Sequence, residues 1–208
     1  MKMQLATAAG LLLAGQAIAA PLEARADMSA AAIVAAVSPN SKTCDGSAEC
    51  RTADQVGPLL ADAMVKYGVY KPGRIAAIIA LTAYESVDYK YKHNVSPGRP
   101  GQGTSNMQQF PYNLEYAKSI PELASKVAGI DQNVSDDQKN QVLALVTPDE
   151  YNFGSGPWFF TKHCSADVQN GLDAGTDAAF EAYMGCVGVQ LDKNRKDYWD
   201  RAKAAFNL

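Results

Sequence analysis

One segment of this sequence has few places where it can lie in a folded domain. Across about 72–87 the residues favour a helix, and over 75–83 that helix has no polar face. A helix that is apolar all round is stable only when neighbouring elements cover it. Its charged residues stand at its two ends, with Arg74 in the first turn and Glu85 in the last. The sequence therefore predicts a domain built round a central buried helix.

Helical patterns also account for most of the remaining chain. Thr52–Gln55, Ser135–Gln138 and Thr147–Glu150 have the spacing of capping boxes, in which two side chains close the start of a helix. Apolar residues at helical spacing predict further helices at about 107–118, 121–127, 157–163, 165–172, 176–188 and 194–206. No alternating pattern of useful length predicts a β-strand. We therefore predict a mostly α single domain at 43–208, preceded by an N-terminal segment at 21–42.

Residues 88–107 interrupt the helical patterns. This segment is rich in glycine and proline, most densely at 96–101, where the sequence is Ser-Pro-Gly-Arg-Pro-Gly. Such a composition predicts a long loop, or a loop with a small hairpin. Loops of this length in compact domains are usually functional, so the segment that follows the central helix is a candidate binding region.

The first twenty residues have the pattern of an export signal. Lys2 supplies the charged start, Leu5–Ile18 is an apolar stretch, and Ala17-Ile18-Ala19 offers a small-x-small cleavage site. The alternative is a buried N-terminal helix. We predict a signal peptide at residues 1–20 and a secreted, extracellular protein.

Export gives meaning to the cysteines, which are Cys44, Cys50, Cys164 and Cys186. An even number of cysteines in an oxidising compartment indicates disulfides, and three pairings are possible. We favour Cys44–Cys50 and Cys164–Cys186, because both close short loops. The spacings match no zinc signature, so we expect neither a metal nor another cofactor. Asn133-Val134-Ser135 is a glycosylation sequon.

Charge and hydropathy exclude two classes of partner. The chain has 19 basic and 22 acidic residues and a formal net charge of −3, so it lacks the basic surface of a nucleic-acid binder. No apolar run beyond the first twenty residues is long enough to cross a bilayer. We therefore expect no nucleic-acid partner and no membrane partner, and we expect a monomer.

Glu85 is the residue whose position most suggests chemistry. It lies on the helix face defined by Ile78 and Leu81, at the C-terminal end of the predicted central helix. Burial and the negative end of the helix dipole both raise the pKa of a carboxyl group. A carboxylic acid kept protonated beside a cleft can serve as a general acid. The alternative is a glutamate turned outward to pair with Lys90 or Lys92.

Three motifs near Glu85 resemble those of one superfamily. Tyr84-Glu85-Ser86 resembles the Glu-Ser motif of goose-type lysozymes and soluble lytic transglycosylases. Gly103–Gln108 is similar to their Gly-x-x-Gln segment but is two residues longer. Glu150–Gly154 is similar to the Ala-Tyr-Asn-Ala-Gly motif of the transglycosylases, with Glu150 in place of the first alanine. The resemblance implies a lysozyme-like fold in which Glu85 protonates the glycosidic oxygen.

A closer resemblance is to secreted fungal muramidases of glycoside hydrolase family 184. It covers about residues 33–206 and rests on 84–86, 100–108, Ser41-Lys42-Thr43-Cys44, Trp158–Cys164, Cys186-Val187-Gly188 and Tyr198-Trp199. The resemblance implies hydrolysis of the β-1,4 bond between N-acetylmuramic acid and N-acetylglucosamine in bacterial peptidoglycan.

The second catalytic group stays open at this point. An inverting enzyme needs a carboxylate to activate water, and a retaining enzyme needs a nucleophile. Asp88, Asp149 and Glu150 are candidates, although Asp149 and Glu150 also suit the first turn of a helix, where they would act as caps. A third route needs no second carboxylate, because the N-acetyl oxygen or the 6-hydroxyl of the substrate can attack instead.

Sugar-binding candidates lie in and near the three motifs. They are Ser86, Gln102, Asn106, Gln108, Tyr151 and Asn152. Arg99, in the loop, is a candidate contact for the lactyl or stem-peptide carboxylates of peptidoglycan. Three other functions compete with a muramidase: a chitosanase or chitinase, a lytic transglycosylase, and a secreted carbohydrate-binding effector without catalysis.

Overall fold

A computed structural model describes Met28 to Leu208, so the predicted signal peptide lies outside the described residues. Within this range the chain forms eleven α-helices: α1 (Ala30–Val37), α2 (Ala53–Lys66), α3 (Pro72–Glu85), α4 (Phe110–Ser119), α5 (Pro121–Ala124), α6 (Asp136–Val146), α7 (Asp149–Asn152), α8 (Ser155–His163), α9 (Ala166–Gly171), α10 (Asp177–Cys186) and α11 (Lys193–Phe206). Short 3₁₀ helices cover Pro39–Lys42, Ser125–Val127 and Leu172–Ala174. None of the helices in this range is long and apolar enough to cross a membrane.

Residues 28–208 contain no β-strand, which confirms the predicted mostly α fold. The long segment between α3 and α4, hereafter the cleft loop (residues 86–109), is held by two isolated antiparallel bridges. One joins His93 to Gly103 and the other joins Gly103 to Gln108. The glycine-rich segment is therefore a loop with local pairing and not a full hairpin.

Helix α3 is the centre of the fold, as the sequence predicts. Every residue from Ala76 to Ala83 is at most 5% exposed. Its alanines let neighbouring helices approach closely, and α11, α1 and α8 pack against it. At the start of α3, a Cβ on Gly73 would stand 1.9 Å from the carbonyl oxygen of Leu172, so a glycine is required there.

Helix α1 belongs to the same core. Val34 and Val37 are at most 1% exposed, and the helix packs against α2 and α11. Ser29 caps its start by accepting a hydrogen bond from the Ala32 amide at 3.1 Å. Residues 30–37 therefore pack against the helical domain, and the boundary at residue 42 stays a prediction.

Two of the three predicted capping boxes are confirmed. The Thr52 amide donates to Gln55 Oε1 at 2.9 Å, and Ser135 exchanges hydrogen bonds with Gln138. The third, at Thr147, is wrong. Helix α6 runs directly up to Thr147, whose amide bonds back to Leu143 and whose backbone is helical, with φ −90° and ψ −14°. An N-cap needs an extended backbone, so Thr147 cannot cap α7.

The predicted disulfide pairing is confirmed. Cys44 pairs with Cys50 in the segment before α2, and Cys164 pairs with Cys186, which joins the end of α8 to the end of α10. The part of the chain that the structure describes has no free cysteine.

Replacing Ile78 by alanine should destabilise the domain by about 2–5 kcal/mol, because it opens a cavity in a core that cannot collapse around it. Ile78 is fully buried in the middle of α3. Urea unfolding followed by circular dichroism measures the change. Val65→Ala is the matched control, since Val65 is 62% exposed on α2, and it should change stability by less than about 0.5 kcal/mol. Equal effects of the two changes would mean that α3 is not the central helix.

Candidate active site

Glu85 ends α3 and is followed by an unusual left-handed turn. Val87, Asp88 and Tyr89 have φ values of 53°, 59° and 62°, although none of them is glycine. Left-handed backbone costs an L-residue roughly 1–2 kcal/mol, and such strain persists only where the surroundings fix it. The turn redirects the chain from the central helix into the cleft loop.

Asp88 and Ser86 are the residues that hold this turn. The carboxylate of Asp88 accepts hydrogen bonds from Ser38 Oγ, from Asn40 Nδ2 at 3.1 Å and from the Tyr198 hydroxyl at 2.9 Å. Ser86 Oγ donates to the Thr82 carbonyl and accepts from the Tyr89 amide at 3.0 Å. Both side chains are buried, at 5% and 1% exposure. Both side chains are therefore engaged in holding the turn, and the roles of Asp88 as a second catalytic carboxylate and of Ser86 as a sugar ligand stay predictions.

The carboxyl group of Glu85 is partly buried and pairs with Arg195, which lies in the first turn of α11. Arg195 Nη2 donates to Glu85 Oε1 at 2.9 Å, and the Glu85 side chain is 19% exposed. Burial raises the pKa of Glu85, and the charge and hydrogen bond of Arg195 only partly offset that rise. In the described chain the ion pair of Glu85 is with Arg195, not with Lys90 or Lys92, and Lys92 pairs with Asp149.

Glu85 lines a cleft of about 210 Å³. The other lining residues are Leu81, Arg99, Gln102, Asn106, Met107, Gln108, Gln109, Tyr112, Phe159, Val187, Gly188 and Val189. Glu85 is the only carboxylate among these described lining residues, and Arg99 is the only cation. Four amide side chains supply neutral hydrogen-bond donors and acceptors, and Tyr112 and Phe159 supply aromatic surface. Such a lining suits a polar chain rich in hydroxyl and amide groups, as in a glycan.

The amides of the cleft loop are held in place by one another. Gln102 Nε2 donates to the Met107 carbonyl at 2.9 Å, and Gln108 Nε2 donates to Asn113 Oδ1 at 2.9 Å. Asn106 Nδ2 donates to Gln108 Oε1 at 3.3 Å, while Asn106 Oδ1 is buried without a partner among the described residues. The structure thus brings three predicted sugar-binding residues, Gln102, Asn106 and Gln108, into one cleft with Glu85.

The Tyr151-Asn152 motif does not line the cleft. Both residues are buried in the short helix α7, and their backbone carbonyls accept hydrogen bonds. The Tyr151 carbonyl accepts from Tyr116, and the Asn152 carbonyl accepts from Ser105 and Ser155. Since Ser105 precedes Asn106 in the cleft loop, its hydrogen bond to Asn152 attaches that loop to α7. Direct contact of Tyr151 and Asn152 with a sugar stays a prediction.

The two remaining carboxylate candidates also lie outside the cleft lining. Asp149 binds Arg51 Nε at 2.6 Å and Lys92 Nζ at 2.5 Å. Burial acts to raise the pKa of Asp149, but the hydrogen bonds and charges of Arg51 and Lys92 outweigh it and lower the pKa. An aspartate fixed by two cations is a poor base. Glu150 is exposed. Both residues lie in the first turn of α7, where the alternative of capping places them, and Pro148 is the N-cap residue of that helix.

Sequence reasoning missed Arg195, which is 110 residues from Glu85 along the chain. The one local signal was Asp192, which has the spacing of a helix N-cap and fixes the first turn of α11. Asn133 is exposed, as a glycosylated asparagine must be, and its modification stays a prediction. In residues 28–208 no three His, Cys, Asp or Glu side chains gather into a group that could hold a metal ion.

Comparisons with known proteins give one sequence similarity. No protein-family model matches the chain, and no solved structure matches it. The chain is 47% identical over 157 residues to a bifunctional dioxygenase (DOX)-epoxy alcohol synthase (EAS) of Fusarium oxysporum (strain Fo5176). Those residues are 74% of this chain but 12% of that protein. The chain therefore spans a small part of its relative, and the two activities in the name are those of the relative as a whole.

Proposed function

We propose that this protein is a secreted muramidase, a glycoside hydrolase that cleaves the β-1,4 bond between N-acetylmuramic acid and N-acetylglucosamine in bacterial peptidoglycan. Glu85 is the general acid, and the helices round α3 form a lysozyme-like scaffold. The observation that carries the proposal is a partly buried glutamate of raised pKa, the only carboxylate lining an amide-rich cleft in the described chain. The export pattern and the two disulfides support secretion.

The proposed reaction begins when Glu85 gives its proton to the glycosidic oxygen as the bond from that oxygen to C1 breaks. Positive charge then develops at C1 of the muramic acid. Because Asp88, Asp149 and Glu150 do not line the cleft, we propose that the N-acetyl oxygen of the same sugar attacks C1. Water then opens the ring that this attack forms, adds OH to C1 and returns a proton to Glu85.

Arg99 favours peptidoglycan over chitin or chitosan as the substrate. It is the only cation among the described residues that line the cleft, and its guanidinium forms no hydrogen bond or ion pair with the rest of the described chain. Peptidoglycan carries lactyl and stem-peptide carboxylates, which guanidinium groups bind well. Chitin has no carboxylate, and chitosan is itself cationic. The activities in the name of the Fusarium protein are not part of this proposal, because the match covers 12% of that protein.

The test is to incubate the purified protein with bacterial peptidoglycan, chitin and chitosan at about pH 5, because a general acid works only in its protonated form, and to identify products by mass spectrometry. We expect muropeptides with reducing muramic ends. Anhydro-muramic ends would replace this proposal with a lytic transglycosylase, in which the 6-hydroxyl attacks C1. Products from chitin or chitosan alone would indicate the other hydrolases. Release from none of the three would favour a binding effector.

A further inference from the structure

We infer that Arg195 is a positioning residue for Glu85: it holds one carboxyl oxygen and leaves the other as the atom that delivers the proton. This inference rests on the proposed function. Arg195 Nη2 donates to Glu85 Oε1, and Oε2 has no hydrogen-bond partner among the described residues. An oxygen that accepts a hydrogen bond from a guanidinium is a poor site for a proton. The protonated acid therefore carries its proton on Oε2.

The guanidinium of Arg195 is itself held from several sides. Asp192, the N-cap of α11, accepts from the Arg195 amide at 2.8 Å and from Arg195 Nη1 at 2.6 Å. The ring of Tyr84 lies 4.5 Å from the guanidinium carbon. The side chain is 15% exposed. Asp192 and Tyr84 thus fix the arginine, and the arginine fixes the glutamate, so that the acid keeps one orientation towards the cleft.

The pair of Arg195 and Glu85 contributes little to the stability of the fold. Arg195 Nε is buried without a partner in the described chain, and a buried unpaired donor destabilises a fold. The positive charge also opposes the protonated state that the reaction needs. A buried ion pair is weak evidence for stability, because desolvation cancels much of its attraction. The benefit that accounts for the pair is geometric: proton transfer requires a donor oxygen within hydrogen-bond reach of the substrate.

The charged and titratable groups round Glu85 set the direction of the expected pH effects. Helix α11 contributes Arg195, Asp192 and Tyr198, and α10 contributes the buried Tyr183. Tyr84 precedes Glu85 on α3, and Arg99 lines the same cleft from the loop. Burial and Asp192 raise the pKa of Glu85, and Arg195 lowers it. Removing the charge of Arg195 must therefore raise the pKa of Glu85 further.

Two variants separate the charge of Arg195 from its geometry. Arg195→Gln removes the charge, whereas Arg195→Lys keeps the charge but loses the two-pronged contact with Glu85 and Asp192. Arg74→Gln is the matched control, because Arg74 also pairs with an aspartate, Asp173, but at the opposite end of α3. Circular dichroism and melting curves first establish that each variant is folded.

The first measurement is a ¹³C NMR titration of the Glu85 side-chain carboxyl, assigned with Glu85→Gln. We expect the titration midpoint to move up in Arg195→Gln and to stay near the native value in Arg195→Lys and Arg74→Gln. This measurement needs no enzymatic activity, so it tests the pairing even if the protein does not cleave peptidoglycan. A midpoint that does not move in Arg195→Gln would overturn the inference.

The second measurement is the pH profile of kcat and KM on peptidoglycan. We expect kcat to fall about 10- to 100-fold in both Arg195 variants with little change in KM, because the acid is misplaced and the binding surface is intact. The alkaline limb should move to higher pH in Arg195→Gln alone. A native kcat in both variants would overturn the positioning role, whereas absence of cleavage by the wild-type protein would instead refute the proposed function.

Discussion

Glu85→Gln should lower the rate of peptidoglycan cleavage by roughly 10²- to 10⁴-fold, the usual contribution of a general acid. Glutamine keeps the size of the side chain and can still contact Arg195, but it has no proton to give to the glycosidic oxygen. We therefore expect KM to change little and kcat to carry the loss. The release of reducing ends from purified bacterial wall, measured as an initial rate, gives both constants.

Glu150→Gln is the matched control for this prediction. Glu150 is an exposed carboxylate that lies outside the cleft lining, so its amide should leave the rate unchanged. An equal loss in both variants would point to a general effect of charge. Full activity of Glu85→Gln would remove Glu85 from the reaction and, with it, the basis of the proposed function.

The pH dependence follows from the same residue. A general acid works only while it is protonated, so activity should fall as the pH rises through the pKa of Glu85 in the folded protein. Burial raises that pKa and extends the active range upward, and the charge and hydrogen bond of Arg195 limit the rise. A protein with a formal net charge of −3 is also not steered towards anionic walls at neutral pH. An optimum above about pH 8 at low salt would contradict the assignment.

The features that the sequence predicts well are those that depend on neighbours in the chain. The central helix follows from an uninterrupted apolar run, and the Thr52 and Ser135 caps follow from residues three positions apart. The capping box at Thr147 fails for a reason that is also local. Thr147 lies between two helices, and in the structure it is the C-cap of α6 and not the N-cap of α7.

The parts of the site that the sequence does not reveal depend on distant contacts or on rare backbone geometry. Nothing near Glu85 indicates that Arg195 is its partner, because the two residues meet only when α11 packs on α3. Asp88 is close to Glu85 in the sequence, but it lies in a left-handed turn that places its side chain in the protein interior. Non-glycine residues seldom adopt that backbone, so no composition signal marks the turn.

The motif resemblance is least informative where backbone groups, and not side chains, make the contacts. Tyr151 and Asn152 carry the resemblance to the transglycosylase motif, yet their carbonyl groups, and not their side chains, bind the residues that support the cleft loop. A motif names side chains, so it cannot distinguish a residue that contacts substrate from one that shapes the chain beneath it. Gln102, Asn106 and Gln108 line the same cleft as Glu85, because the loop that bears them follows α3 directly.

Trp199→Ala should have the largest effect on stability, about 3–5 kcal/mol, since it removes a large aromatic side chain from a closed site. Trp199 is fully buried and stacks on Phe180 with ring centroids 4.7 Å apart and planes within 4°. Its Nε1 donates to Asp177 Oδ1 at 3.1 Å. These contacts attach α11 to α10, and α11 also packs along α3. The loss of Trp199 should therefore weaken the packing of α11 against both helices. Urea unfolding at neutral pH measures the free energy.

Two controls connect this loss to the site. Tyr70→Ala truncates an aromatic side chain that is 66% exposed and should cost less than about 0.5 kcal/mol. Trp199→Phe keeps the stacking and should fall between the two. Because α11 also carries Arg195, loss of Trp199 should misplace Glu85 in a folded Trp199→Ala protein. We therefore expect kcat to fall and KM to change little. If Trp199→Ala is as stable as Tyr70→Ala, α11 is not held by this stack, and the rigid support inferred for Arg195 must come from Asp192 and Tyr84 alone.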